Sequence, residues 1–184
     1  MFRFLIVLIL LNFCKPAFSS TKEKIISKMT LTDIFSFDFI QTINEKNENG
    51  SCTIKYPKKI FCKYRGTDKK IIVSNGKSLV IKNKSKGSYY IYPLDKTPLE
   101  LLLDKKFLIS KMRTLEPTDV DNKFLLFKIF ENNNAINIFF DKNKFNLVGW
   151  QTEDIYQNLS ITFISSIKIN QKIDDRIFIL PKNN

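Results

Sequence analysis

The chain is 184 residues long, 43% hydrophobic and 26% charged, with 30 basic against 18 acidic side chains and a net charge of +12. It has no histidine, which removes the commonest acid–base catalyst and the commonest metal ligand. The lysines are scattered rather than gathered in a stripe, so the charge does not outline a phosphate-tracking groove, and nucleic acid is not an expected partner.

Residues 1–19 read as an export signal. Arg3 supplies the positive start, Phe4 to Phe13 is an apolar run broken by Asn12, and Ala17-Phe18-Ser19 offers small residues for cleavage near Ser19. So short a run falls well below the about 20 residues that span a bilayer. A lipoprotein signal on Cys14 would need a small residue just before the cysteine, where Phe13 stands. Cleavage removes Arg3 and Lys15, taking +12 to +10, and leaves residues 20–184 as one expected domain in an exported, periplasmic protein.

Lys22 to Leu31 carries Ile25, Ile26 and Met29 at helical spacing and predicts an amphipathic helix. From Phe35 the period changes to two, with Phe35, Phe37, Phe39, Gln41 and Ile43 on one face of a strand. Asn44 to Gly50 reads as a polar turn. The stretch from Ser51 to Tyr64 folds as a hairpin around Tyr56-Pro57-Lys58, which sets Ile54 opposite Ile60 and Cys52 opposite Cys62. With Cys14 gone, two cysteines remain, and in an oxidising compartment a disulfide between them is expected, against the alternative of two buried thiols. No metal site is expected from so few ligands.

Ile71–Ser74 and Lys77–Lys82 flank the turn pair Asn75-Gly76, and Gly87–Tyr92 forms a further strand. One short helix then stands among the strands. Thr97 is placed to cap it, Pro98 suits its first turn, Glu100 completes a capping box, and Leu99, Leu102 and Leu103 share one face. Two readings stay open for it: a plug in a β-rich core, or a lid over an apolar cavity. Lys105–Val120 reads as a connection with one irregular helix. The second half is a run of hairpins, Phe124–Glu131 with Ala135–Asp141 and Leu147–Asp154 with Asn158–Ile167, the latter joined by a turn at Ile155–Gln157. If Lys128, Asn137 and Ser160 face solvent, then Leu125, Phe127, Ile129, Ile136, Ile138, Phe140, Leu159, Ile161 and Phe163 face inward. About ten antiparallel strands with few helices make a mainly β fold, a strongly curved sheet or barrel.

No catalytic constellation stands out. There is no nucleophile elbow and no phosphate-binding glycine loop, and carboxylates such as Asp174 and Asp175 sit in polar turns. The chain is instead rich in aromatic and aliphatic side chains, including 17 phenylalanines, and a barrel of this strand count can enclose more volume than its own side chains fill. The expectation is a binding protein without a cofactor, not an enzyme.

Several blocks together resemble the periplasmic outer-membrane lipoprotein carrier family, LolA, over about Thr21 to Pro181. Phe39-Ile40-Gln41 resembles the family's early F-x-Q, and Gly50 to Pro57 its G-x-x-x-x-[KR]-x-P hairpin. Val73-Ser74-Asn75-Gly76-Lys77 is similar to V-S-D-G-K, and Tyr92-Pro93-Leu94 with Thr97 to Leu103 to P-L-x-x-T-P-L-x-x-L-L. Leu147-Val148-Gly149-Trp150 followed by Asp154 resembles L-x-x-W-x-x-x-D. The resemblance implies an unclosed, strongly curved antiparallel β-barrel with a short helical lid over a hydrophobic cavity for lipoprotein acyl chains. Its candidate walls are Phe39, Ile54, Tyr56, Ile60, Tyr64, Leu125, Phe127, Ile138, Phe140, Trp150, Ile161 and Phe163, with Leu99, Leu102 and Leu103 as the lid. The implied partners of this expected monomer are acylated lipoproteins, an inner-membrane ATP-driven lipoprotein exporter and, left open, an outer-membrane acceptor. Family members commonly carry Arg just before the hairpin proline, where it helps latch the lid. Here Tyr56 stands there, so the expected latch is hydrophobic contact with at most one bond from the Tyr56 hydroxyl. A sensor or anti-sigma regulatory subunit of similar fold and a carrier of another lipid are the alternative readings.

Overall fold

The computed structural model describes residues 20–67, 69–131, 134–153 and 158–183. The expected signal, the Asn132-Asn133 turn, Asp154 and the expected turn at 155–157 lie outside the described residues. Helix α1 (Thr21–Thr30) opens on Ser20, whose Oγ accepts from the Glu23 amide at 3.2 Å, and buries Ile25 and Ile26. Six strands follow: β1 (Ile34–Ile43), β2 (Lys46–Lys55), β3 (Lys59–Tyr64), β4 (Lys70–Asn75), β5 (Ser78–Asn83) and β6 (Ser88–Pro93). A 3-10 turn at Leu94–Lys96 leads into helices α2 (Leu99–Leu103) and α3 (Lys105–Thr114). Strands β7 (Thr118–Val120), β8 (Phe124–Glu131), β9 (Asn134–Asp141), β10 (Leu147–Glu153) and β11 (Leu159–Ile169) complete the sheet, and a 3-10 turn at Asp175–Phe178 follows.

The strands form one 11-stranded sheet in the order β6-β5-β4-β3-β2-β1-β11-β10-β9-β8-β7. Every neighbouring pair is antiparallel, and β6 and β7 end as unpaired edges, so the barrel does not close. Two meanders meet where β1 pairs with β11, and the helices between β6 and β7 fold back over the concave face. There Ile25, Ile26, Leu101, Leu102, Leu103, Leu108 and Met112 bury against Phe35, Phe37, Phe39, Ile54, Ile60, Phe127 and Phe140. The fold is thus mainly β, an unclosed and strongly curved antiparallel barrel capped by helices. The convex face has its own small core of Val73, Val80 and, from the C-terminal segment, Phe178, all buried, and Lys55 ties that segment down through Asp175 at 2.6 Å.

Three elements depart from the sequence expectation. The polar turn shrinks to Asn44 and Glu45, both at positive φ (47° and 65°), and β2 starts at Lys46. Its polar residues pair with β1, with Asn49 opposite Ile40 and Gly50 opposite Phe39. A Cβ on Gly50 would meet the Lys63 carbonyl at 2.3 Å and the Phe39 ring at 2.8 Å, so glycine is required for this close approach. The connection after α2 is a regular ten-residue helix, started by Asp104, whose Oδ1 accepts from the Phe107 amide at 3.0 Å.

The third departure is β11, whose faces are reversed. Phe163 pairs with the outward Ile40, and both are more than half exposed (56% and 55%), while Thr162 beside Gln41 is 2% exposed. Leu159 is also exposed. The reason is chemical: Gln41 lies on the inner row of β1 and needs hydrogen-bond partners, which Ser160 and Thr162 supply. Because strand side chains alternate, putting the hydroxyls inside puts Leu159, Ile161 and Phe163 outside. Ile161 and Phe163 are therefore not part of the concave wall.

Candidate functional site

A cavity of about 430 Å³ lies between the concave sheet and the segment from Lys96 to Leu102. Its floor comes from β1 to β5: Phe39, Ile60, Ile72, Leu79 and Tyr64, with the paired Cys52 and Cys62, whose sulfurs stand at bonding distance, 2.01 Å. Trp150 and Ile136 close the far side, and Leu99 and Leu102 with Thr97 and Pro98 make the roof. Phe39 and Tyr64 meet edge-on at 4.9 Å, and Trp150 meets Phe37 the same way at 5.9 Å, so the aromatic wall is held in one arrangement. The volume falls within the range of small-molecule sites.

Of the wall and roof residues read from the sequence, Phe39, Ile60, Tyr64, Trp150, Leu99 and Leu102 line this cavity. Tyr56, Ile138 and Phe140 line a much smaller void, about 40 Å³, between α1, α3 and the sheet, which Leu102 also touches. Ile54, Leu103 and Phe127 are fully buried packing and Leu125 nearly so; they reach neither space. The sequence reading missed Ile72, Leu79, Ile81 and Tyr92 from β4 to β6, although the period-two pattern of those strands carries them. It also missed the polar members Thr152, Ser160 and Thr162.

The roof is fastened differently from the expectation. Thr97 does not cap α2: its hydroxyl donates to the Leu94 carbonyl at 2.8 Å, closing the preceding 3-10 turn, and α2 has no side-chain cap. Glu100 is drawn away because Lys58 competes for it. The Lys58 backbone N–H donates to the Leu103 carbonyl at 2.9 Å, and its ammonium reaches Glu100 at 2.7 Å and Asp104 at 3.4 Å. These carboxylates are four residues apart and so share a face of the helical segment. The Glu100 hydrogen bond, outweighing partial burial, raises the Lys58 pKa above its ordinary value. Leu101, omitted from the sequence-derived face, is buried beside Leu102 and Leu103 because α2 is covered on more than one side.

Tyr56, where the family commonly carries Arg, contributes packing. Its ring lies under the Lys105 ammonium at 5.6 Å and lines the small void with Met29, Phe35 and Leu108. Burial pushes its phenol pKa up. Among the described residues its hydroxyl has no hydrogen-bond partner. The polar latch thus sits two residues on, at Lys58, on the same hairpin loop.

An unclosed antiparallel sheet curled around a largely apolar cavity, with helices fastened across the opening, has the form of a binding or carrier protein. The sequence matches the family described as outer membrane lipoprotein carrier protein LolA over residues 22–180, and the chain belongs to that family. Proteins of this family are periplasmic, and no helix among the described residues is long and apolar enough to cross a membrane. No curated protein matches the chain. Among solved structures, an uncharacterized conserved protein from Thermus thermophilus is 7% identical, with a TM-score of 0.51 over 88% of this chain and 93% of that one. A LolA superfamily protein from Nitrosomonas europaea is 9% identical, with a TM-score of 0.49 over 88% and 99%. The MucA/MucB complex of Pseudomonas aeruginosa gives 8% identity and a TM-score of 0.45 over 88% and 60%. At these identities the likeness is one of fold.

Proposed function

We propose that this protein is a periplasmic carrier that shelters the acyl chains of lipoproteins between the inner and outer membranes. In this reading an inner-membrane ATP-driven exporter loads it, and an acceptor at the outer membrane unloads it. The observation that carries the reading is the largely apolar cavity of about 430 Å³ under a short helical roof held by leucine packing and by Lys58. Each buried CH₂ contributes about 0.8 kcal/mol, so exposing one long chain to water costs on the order of 10 kcal/mol, and unaided transit is forbidden.

The size also constrains how loading works. An apolar cavity of about 150 Å³ accepts benzene, so this one has room for on the order of one long acyl chain. A triacylated cargo therefore requires the roof to lift and widen the space. The Lys58 ion pair contributes only about 0.2–1 kcal/mol, so what the roof gives up on lifting is chiefly the packing of Leu101, Leu102 and Leu103, which an entering acyl chain can replace without unfolding the sheet.

The test is to purify the exported protein from periplasm without detergent and identify its bound species by mass spectrometry. Triacylated peptides are expected. Consistent recovery of free lipid alone, or of no acylated species from cells making lipoproteins, would overturn the carrier reading.

A further inference from the structure

The cavity wall is not apolar throughout. At its β1–β11–β10 end, Gln41, Ser160, Thr162 and Thr152 line it beside the Tyr64 phenol. Tyr64 O–H donates to the Gln41 carbonyl oxygen at 2.8 Å, and the Gln41 amide nitrogen donates to Ser160 Oγ at 3.1 Å and Thr162 Oγ1 at 3.3 Å.

Counting protons fixes the direction of this chain. Tyr64 is 7% exposed, and its pKa is raised by burial first and by the nearby Glu48 charge second, so it is a neutral donor. Its hydrogen goes to Gln41 Oε1, which turns the amide hydrogens toward the two hydroxyls. Ser160 and Thr162 therefore accept. A hydroxyl that accepts still has its own hydrogen to give, and among the described residues neither one gives it to a protein group. Thr152, opposite Ser160 on β10, likewise faces the cavity with its hydroxyl uncommitted among the described residues. A wall that only sheltered hydrocarbon would gain nothing from three such donors, since polar groups in an apolar space are costly unless matched.

We propose that this end of the cavity is a carbonyl-reading subsite. Ser160, Thr162 and Thr152 donate to the ester or amide carbonyl oxygen at which an acyl chain begins, which fixes how deeply the chain enters. The proposal rests on the acyl-carrier reading and adds to it the linkage that is recognised. A neutral carbonyl fits better than a carboxylate. Lys70, the cation against this network, is stacked over the Tyr64 ring at 3.8 Å and ion-paired with Glu48. Lys96, the cation that lines the cavity, belongs to the exposed roof segment, and Glu153 lines the same wall as the hydroxyls.

The experiment is displacement of a bound environment-sensitive hydrophobic dye by three twelve-carbon competitors: lauroyl glycerol, its ether analogue dodecyl glycerol, and laurate. The ester and ether differ only in the carbonyl. The purified protein should prefer the ester over the ether by roughly tenfold, the size of one or two net hydrogen bonds. Ser160→Ala combined with Thr162→Val should bring that ratio to within about twofold. Should the double variant fail to fold, Thr152→Val, which breaks none of the Gln41 bonds, should lower the ratio roughly threefold by itself. Equal binding of ester and ether, or an unchanged ratio in the folded variants, would overturn the subsite while leaving the carrier reading intact. A preference for laurate would overturn the neutral-carbonyl assignment. Failure of the dye and of every competitor to bind would sink the carrier reading itself, and the subsite with it.

Discussion

At the scale of single residues, Lys58 supplies the polar fastening of the roof beside the packing of Leu101, Leu102 and Leu103. It joins the β2–β3 hairpin to the helical segment by one backbone and two side-chain contacts, to Leu103, Glu100 and Asp104. Lys58→Met should keep the stem packed and remove the charge, loosening the roof by about 0.5–1 kcal/mol and speeding dye uptake severalfold. Added salt should have the same effect on the parent protein and little on the variant. Because its pKa is raised in the folded state, the Lys58 contribution is fully present below the ordinary value of 10.5 and is lost as pH rises through the higher folded value. Parent and variant stabilities, followed by thermal unfolding, should therefore converge only in strong alkali. Tyr56→Phe is the matched control: its hydroxyl has no partner among the described residues, so dye uptake should stay at the parent rate. An unchanged uptake rate in Lys58→Met, or a fast one in Tyr56→Phe, would assign the latch to the wrong residue. The packing role of Tyr56 was legible from its apolar hairpin neighbours, Ile54 and Ile60. Lys58 was not, because a lysine in a hairpin loop reads as solvated until the fold brings Glu100 and Asp104 to it.

At the scale of elements, the β2–β3 hairpin is the firmest part of the floor. Its register follows from the turn at Tyr56-Pro57-Lys58 and was readable residue by residue: Ile54 faces Ile60, and Cys52 faces Cys62 at a Cα separation of 4.1 Å. In the exported protein these cysteines should form one linked pair on a non-reducing peptide map. Reduction should lower stability by about 2–3 kcal/mol for so short a loop. Two freely alkylated thiols in the air-exposed native protein would contradict this. Elements whose polarity carries a message other than burial were less legible. The Asn- and Glu-rich start of β2 reads as a turn, yet it pairs because β1 offers a complete row of backbone partners. The apolar residues of β11 read as core, yet Gln41 across the ladder claims the inner row for hydroxyls. An alternating pattern states that two faces exist, and only the partner strand decides which is inside. The short helix α2 gave up its expected capping box for the same kind of reason, a tertiary partner displacing a local one.

At the scale of the whole molecule, strand count, antiparallel order and the position of the helices after β6 could be read from hairpin signals and periodicity. What could not be read is the division of the concave side into an open cavity, floored by β1 to β5 and closed by Ile136, Trp150 and the inner row of β11, and a filled core beside it. Both halves carry large apolar side chains at the same spacing. They differ because α1 and α3 bring Ile25, Ile26, Leu108 and Met112 down onto one half, whereas over the other only the short roof segment crosses. The central claim is that acyl chains enter this open half and not the exposed apolar surface on the convex side. Site-specific photocrosslinking in cells producing the exported protein tests it most directly, with p-benzoylphenylalanine placed at Leu99 on the roof or at Phe163 on the convex face. Leu99→p-benzoylphenylalanine should give adducts carrying lipoprotein acyl chains and Phe163→p-benzoylphenylalanine should give none. Acyl adducts at position 163 with none at position 99 would contradict the account.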